Sequence, residues 1–322
     1  MIRIATIGTS VITEHFIDAV RQAGPDGSIA VTAVTSRTAD RARAFADKTG
    51  VATASDDLPG LIAAGEVDAV YVGSPNGAHA AQAREAIAAG AHVFVEKPAT
   101  PTSAEWEQLV TEARAAGVVV FEGQRNVYDP GFAAVRELLP RLGVLRRAAF
   151  AYCQRSARYD LVLAGETPNI FDPALGGGAL MDLGVYPLSA MIALFGEPTD
   201  IAAFAARIAT GVDGTGTALL AYPGMVGEVT FSKITRSDVP SEIEGELGSL
   251  EIDHIAQPRR LRLTLLDGTV EERTVEAAEN NMRYEVSRFA ELIGGADAAS
   301  DQSRTGGVLR TLERIREGMR LI

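Results

Sequence analysis

Cysteine is almost missing from this chain: Cys153 is the one thiol in 322 residues. No disulfide can close within a single chain and no multi-cysteine metal site can be built. A reducing, cytoplasmic setting is therefore the expectation. Histidine is sparse too, four in all. His15, His92 and His254 have no sequence neighbours at metal-ligand spacing, so no metal is expected and the three are read as structural or solvated. Basic residues are outnumbered, 30 Lys and Arg against 42 Asp and Glu, for a net charge of −12. No segment forms a basic tail or patch, which leaves a nucleic acid or an anionic membrane surface nothing to hold. Any phosphate must be bound by a local device. The sequence shows neither an 18-residue apolar run nor an apolar signal core, and this predicts a chain that does not span a membrane and is not secreted by that route.

What is present is a rhythm. Through residue 122, short runs rich in Val and Ile alternate with stretches of helical spacing. Ile2–Ile7, Ile29–Thr35, Asp68–Gly73, Ala91–Glu96 and Val118–Phe121 lack two-residue alternation, as strands buried on both faces do. The stretches Glu14–Ala23, Thr38–Lys48, Ala78–Ala89 and Ser103–Ala116 end on Gly24, Gly50, Gly90 and Gly117. The predicted fold class is α/β, an N-terminal doubly wound parallel (Rossmann) sheet over 1–122. After Gly123 the rhythm changes. Strands are predicted at 146–153 and over Ile201–Ala209, Thr217–Tyr222, Gly227–Thr235, Glu242–Ile252, Arg260–Leu266 and Val270–Val275, with helices near Met282–Ile293 and Gly306–Met319. The second domain, 123–322, is thus α+β with an open, mainly antiparallel sheet. Its C-terminal helix is allowed to pack back on the first domain. Val229, Phe231 and Leu219 suggest an apolar sheet face for a partner subunit.

The turn Gly8-Thr9-Ser10-Val11-Ile12-Thr13 follows the first strand and opens the first helix. Of the dinucleotide fingerprint G-x-G-x-x-G only the first glycine survives, with Ser10 and Thr13 in place of the others. Position supports the assignment, because a helix N-terminus offers free N–H groups and a positive dipole end to pyrophosphate. Gly8, Thr9, Ser10, Val11 and Ile12 are the candidate cofactor contacts here. The second strand ends Thr35-Ser36-Arg37, with Arg41 one turn on. No acid is present to accept from a ribose 2′-OH, whereas Ser36, Arg37 and Arg41 suit a 2′-phosphate. NADP(H) is favoured and NAD(H) remains possible.

Two more clusters stand at predicted strand ends, Ser74-Pro75-Asn76-Gly77-Ala78-His79 and Glu96-Lys97-Pro98. A third, Gly176-Gly177-Gly178, leads to Asp182 and Tyr186, four apart and so able to share one helical face. Together with the opening turn and the SR pair, SPNGAH, EKP and GGGALMDLGVY resemble the glucose–fructose oxidoreductase, inositol dehydrogenase and rhizopine-catabolism family, Gfo/Idh/MocA, and the likeness runs through the NNMRYEVSRFAELI helix. The resemblance implies NAD(P)-dependent hydride transfer at a sugar- or polyol-type carbon, a homodimer or homotetramer, a cis Lys97–Pro98 peptide and a Lys97, Asp182, Tyr186 trio. Tyrosine rather than histidine at 186 looks more like the glucose–fructose oxidoreductase and dihydrodiol dehydrogenase branches than the inositol branch.

The chemistry is consistent with that likeness. A tyrosine titrates near pH ~10 and needs a cation before it can serve as a base. Lys97 is the candidate cation, and Asp182 would orient a substrate hydroxyl or Lys97. Ser74, Pro75, Asn76, His79 and Glu96 are read as nicotinamide-side contacts, and His79 is the second candidate acid/base. Tyr159 and Asn169, with Arg155 and Arg158, are candidates for the substrate pocket. Two other readings stand beside this one: an NAD-dependent polyol or dihydrodiol dehydrogenase, and a dinucleotide-binding sensor without turnover.

Overall fold

The structure is a computed structural model that describes residues 1–322. It divides into two compact units, Met1–Gly123 with Ala278–Gly306, and Gln124–Ala277 with Gly307–Ile322. The stretch 278–306 therefore belongs to the first unit, whereas a sequence boundary at 123 assigns it to the second.

The first unit carries a six-stranded parallel sheet: β1 (Ile2–Ile7), β2 (Ile29–Thr35), β3 (Thr53–Ser55), β4 (Ala69–Val72), β5 (His92–Glu96) and β6 (Val120–Gly123). Their spatial order is β3-β2-β1-β4-β5-β6, so the chain reverses its direction of travel between β1 and β4. β4 and β6 are buried at every position, as their unalternating apolar runs require. Helices α1 (Val11–Ala23), α2 (Ala39–Thr49), α3 (Leu58–Ala63), α4 (His79–Ala88) and α5 (Ser103–Ala116) connect the strands. Thr38, Asp57 and Thr102 cap α2, α3 and α5 by accepting from backbone N–H groups. β3 and α3 are absent from the sequence prediction: a three-residue, half-exposed edge strand leaves no apolar run to find.

Aromatic rings fill the core of this unit. Phe16 stacks on Tyr71 at 3.7 Å between ring centroids, and Phe94 sits edge-on to Phe16, Phe121 and Phe289 at 5.1, 5.2 and 5.5 Å. Phe289 lies on the helix Met282–Ile293, whose apolar side is Met282, Val286, Phe289 and Leu292. That packing is why residues far along the chain complete the first core.

The second unit holds a nine-stranded mixed sheet in the order β14-β13-β12-β11-β7-β10-β9-β8-β15. The strands are β7 (Leu145–Cys153), β8 (Asp200–Arg207), β9 (Asp213–Tyr222), β10 (Met225–Ser232), β11 (Ser241–Gly245), β12 (Gly248–Ile252), β13 (Arg260–Leu265), β14 (Val270–Thr274) and β15 (Arg320–Leu321). Only the β10–β7 and β15–β8 pairs are parallel. Two expectations are corrected here. Glu242–Ile252 is not one strand but the hairpin β11–β12, turned at Glu246-Leu247 between two glycines. Val229 and Phe231 point into the core at 0% exposure, and only Leu219 faces outward, because on a pleated strand residues of one parity share a face. The segment Pro173–Phe195, helical over most of its length, is by length and composition alone apolar enough to cross a membrane, and most of its apolar stretch is buried inside the protein.

Phe289→Ala tests the completion of the first core. Removing a fully buried phenyl ring should lower unfolding free energy by about 3–5 kcal/mol, read from urea denaturation. A loss below about 1 kcal/mol would mean that the helix only decorates the first unit.

Candidate functional site

The carboxyl ends of β1 and β4 meet where the sheet order reverses, the place where such folds bind ligands. Gly8 has φ +111°, and a Cβ there would lie 2.7 Å from the Gly73 carbonyl oxygen. Any side chain at position 8 would have to displace backbone. Gly73 faces the same restriction: a Cβ on it would lie 2.5 Å from the Tyr71 ring and 3.0 Å from the Thr13 hydroxyl. This accounts for one departure from the fingerprint. Thr13, in place of the third glycine, is fully buried and fits because Gly73 has no side chain. Ser10, in place of the second, is exposed at the N-cap of α1 and does not cap its own helix. Its hydroxyl lies 3.4 Å from that of Thr13. Val11 is exposed and Thr9 and Ile12 are half-buried.

Beyond β2, Ser36 is half-buried, and Arg37 and Arg41 are exposed at the start of α2. The Arg41 backbone N–H is taken by the Thr38 cap at 3.4 Å. A dinucleotide fits these residues: a helix N-terminus whose cap hydroxyl is not spent on its own backbone, and two exposed guanidinium groups at the second strand end.

The next loops meet at His79. Ser74 donates to Gln82 at 2.6 Å, Pro75 is exposed and Asn76 is half-buried. His79 is 1% exposed, with Nδ1 3.0 Å from the Pro98 carbonyl oxygen and Nε2 2.8 Å from that of Ser74. Burial pulls its pKa down, against the two carbonyls. The neutral ring donates its one N–H to one of these carbonyls and lies wedged between the loop after β4 and the loop after β5. Both ring nitrogens lie against backbone carbonyls, so the structure shows His79 in a structural place, beside the sequence expectation of a cofactor contact and second acid/base. The Lys97–Pro98 peptide is cis, Lys97 is half-buried, and Glu96 accepts from Tyr71 Oη at 2.9 Å.

Glu122, which the sequence reading passed over, holds this loop from behind. Its carboxylate accepts from Ala99 N at 2.9 Å and Thr305 Oγ1 at 3.0 Å. Burial pushes its pKa up to about 7, opposed by those two bonds and by Arg304, with Glu96 raising it further.

The second unit gathers Asp182 and Tyr186. Leu180–Gly184 forms a π-helical turn and Val185–Phe195 continues as α-helix. Pro187 lies within this continuous helical segment, where its missing N–H removes one intrahelical bond, just after the π-helical turn. Asp182 is not the helix cap. That place belongs to Asp213, which accepts from Leu180 N at 2.7 Å and is pushed up to about 6 by burial. Gly178, at φ +130°, gives Asp213 room: a Cβ there would sit 2.3 Å from its Oδ1. Asp182 instead forms an ion pair with Lys233. Tyr186 is 6% exposed, with the Arg125 guanidinium 5.3 Å from its ring centre and Tyr152 edge-on at 5.5 Å. Tyr152 in turn packs on His254 at 4.8 Å, whose pKa burial lowers. Asn126 donates to the Tyr186 carbonyl at 3.0 Å.

Arg125 and Asn126 follow the end of β6, so the strand-end logic applied to the other clusters reaches them. Lys233 follows β10 and carries no motif. Tyr159 packs on Phe171 in a small apolar cluster with Val162 and Val212, and Arg155 pairs with Asp160 at 2.6 Å. Asn169 and Arg158 are exposed. Of these four candidates, Tyr159 connects toward Asp182 through Phe171, whose ring lies 5.5 Å from the Nζ of Lys233, the partner of Asp182.

The sequence model of an oxidoreductase family with an NAD-binding Rossmann fold matches residues 2–124, and the GFO/IDH/MocA C-terminal domain matches 132–251. A scyllo-inositol 2-dehydrogenase (NADP(+)) of Bacillus subtilis is 37% identical, covering 100% of this chain and 98% of its own. A dTDP-3,4-didehydro-2,6-dideoxy-alpha-D-glucose 3-reductase of Streptomyces violaceoruber is 34% identical over 88% of this chain and 85% of its own. Among solved structures, a 3-ketoreductase from Actinomadura kijaniata in complex with NADP and TDP-benzene superposes with a TM-score of 0.85 at 25% identity, covering 100% and 98% of the two chains.

Glu122 generates a stability prediction with a definite sign. Its folded pKa of about 7 lies above the ordinary 4.5, so the folded state binds more protons and stability falls as pH rises through that window. Glu122→Gln abolishes the titration. The variant should gain on the parent between about pH 4.5 and 7, by about 3 kcal/mol at most, and hold level above. Urea denaturation of both proteins from pH 5 to 8 reads the difference. A pH-independent difference would show that this carboxyl folds with its ordinary pKa.

Proposed function

The chain belongs to the Gfo/Idh/MocA family of oxidoreductases, and on that footing we propose that it transfers hydride between NADP(H) and a ring carbon of a cyclic polyol of the scyllo-inositol type. The observation that carries the reading is the pairing of a buried Tyr186 under the Arg125 cation with an Asp182 carboxylate fixed by Lys233. The full-length likeness to a scyllo-inositol dehydrogenase supports a cyclic polyol and outweighs the single tyrosine that set inositol behind sugars in the sequence reading.

Oxidation of an H–C–O–H group releases a hydride from carbon and a proton from oxygen. Bound nicotinamide dinucleotide supplies the hydride acceptor. In this reading Tyr186 exchanges the hydroxyl proton, Lys97 donates a hydrogen bond to the reacting oxygen, and Asp182 accepts from a neighbouring hydroxyl. Gly8 to Ile12 hold the pyrophosphate at the start of α1. Ser36, Arg37 and Arg41 hold the 2′-phosphate, where an acid would have repelled it. Assays of scyllo-inositol, myo-inositol and a panel of sugars with NADP and NAD test the substrate class. Turnover of sugars alone would refute the cyclic polyol.

The same reading includes a second copy of the chain. Phe204, Leu219 and Val226 are 50%, 49% and 51% exposed on one face of the nine-stranded sheet, an apolar area that water leaves uncovered at a cost. A homodimer or larger assembly is the expected state, with light scattering well above the 33.9 kDa of one chain; a single-chain mass at micromolar concentration contradicts it.

The cofactor assignment is tested by Ser36→Asp. The parent should bind NADPH more tightly than NADH, and the variant should reverse the order, each by at least about tenfold or 1.4 kcal/mol. Nicotinamide fluorescence titration measures both, and a parent that prefers NADH refutes the assignment. Tyr186→Phe keeps the ring and removes the hydroxyl. Its kcat should fall about 10²–10⁴-fold, the usual worth of a positioned acid/base, with NADPH affinity unchanged. Retention of more than half the parent kcat would reduce Tyr186 to a packing residue.

A further inference from the structure

Lys233 is an unusual residue for its place. Its side chain is 4% exposed, while that of its partner Asp182 is 36% exposed. The lysine therefore stands beneath the carboxylate, and the carboxylate faces outward. Its backbone is fixed on both sides: Lys233 N donates to the Gly214 carbonyl at 2.9 Å, and the Lys233 carbonyl accepts from Ser156 N at 2.8 Å. Ser232 Oγ accepts from Ile234 N, Thr235 N and Thr235 Oγ1 at 3.3, 3.0 and 2.6 Å, which locks the turn after β10. The Phe171 ring lies 5.5 Å from Nζ. The opposite member is fixed too. The π-helical turn bearing Asp182 presses on β10 through Gly184, where a Cβ would lie 3.1 Å from Phe231.

An ion pair with one buried member adds little to stability over an apolar contact of the same size, because desolvation of the ammonium offsets the attraction. Packing the turn against the strand does not call for one. What an ammonium does that a methyl group cannot is hold a half-exposed carboxylate in one orientation. An oriented acceptor can tell one configuration at a ring carbon from its epimer, since the wrong epimer leaves the buried polar groups unpaired.

We propose that Lys233 is a positioning residue for specificity, whose ammonium fixes the Asp182 carboxylate so that the chain discriminates the hydroxyl configuration of a cyclic polyol. The inference rests on the reading of Asp182 as acceptor of a substrate hydroxyl. It gives Lys233 no contact with substrate.

The experiment compares the parent with Lys233→Met, Asp182→Asn and the double variant, on scyllo-inositol and myo-inositol with NADP, alongside thermal melting and NADPH titration. Lys233→Met should raise the KM for scyllo-inositol at least tenfold and reduce the scyllo-to-myo ratio of kcat/KM at least fivefold, with NADPH affinity within twofold. The double variant should match Asp182→Asn within twofold, because Lys233 acts only through Asp182. A merely structural lysine would move the melting temperature and leave the epimer ratio alone; a ratio within twofold of the parent overturns the proposal. If Lys233→Met does not fold, the neutral pair decides: a double variant tenfold below Asp182→Asn overturns it. Should the parent turn over no cyclic polyol, the substrate reading fails by itself. Lys233 is then judged by ligand-free crystal structures of the parent and whichever lysine variant folds. Loss of the parent side-chain orientation at position 182 supports the positioning role, and its retention refutes it.

Discussion

The close passage of two backbones at Gly8 and Gly73 is the constraint on which the first unit depends. β1 and β4 are neighbours although β2 and β3 intervene in sequence, and their ends converge until a single Cβ at position 8 would collide with a carbonyl oxygen. That convergence puts the start of α1 beside the loop after β4. It also dictates which substitutions in the glycine fingerprint are tolerated. Thr13 replaces a glycine because its neighbour Gly73 has none of the bulk that would exclude it, and Ser10 does so because it faces outward.

Around that constraint, buried polar groups keep the candidate-site loops in place by identifiable bonds. His79 lies wedged between the loop after β4 and the loop bearing Lys97, and Glu122 holds the latter from the other side through Ala99. In the second unit Asp213 caps the helical segment that carries Asp182, and Lys233 takes the carboxylate of Asp182 itself. Burial shifts the pKa of His79 down and those of Glu122 and Asp213 up. Each shift favours the neutral form, the direction that desolvation dictates. These three groups hold backbone in place rather than face outward as reacting groups would.

The legible part of the chain was the part written in short range. Unalternating strands and glycine-terminated helices exposed the parallel sheet, while Lys97, Asp182 and Tyr186 were proposed from motifs that resemble a family. What stayed hidden depends on contacts between distant residues. Lys233 lies 51 positions from Asp182, and Glu122 reaches Thr305 over 183; neither pair has a local signature. His79 looked reactive because a histidine in a loop motif resembles an acid/base, and only the two carbonyls facing it reveal its structural place. The hairpin at 246–247 was read as one strand because glutamate and leucine, flanked by single glycines, form no strong turn signal. The helix at 282–293 showed its apolar face in sequence, but not which of two cores would receive it.

The proposed activity moves a hydride from a polyol carbon to a nicotinamide. The most direct measurement follows the hydrogen itself: scyllo-inositol deuterated on its ring carbons is incubated with NADP and the protein, and the recovered NADPH is examined by proton NMR. The account predicts one deuterium at nicotinamide C4 per ketone formed, on a single face of the ring. NADPH formed without deuterium, or ketone formed without NADPH, would contradict it.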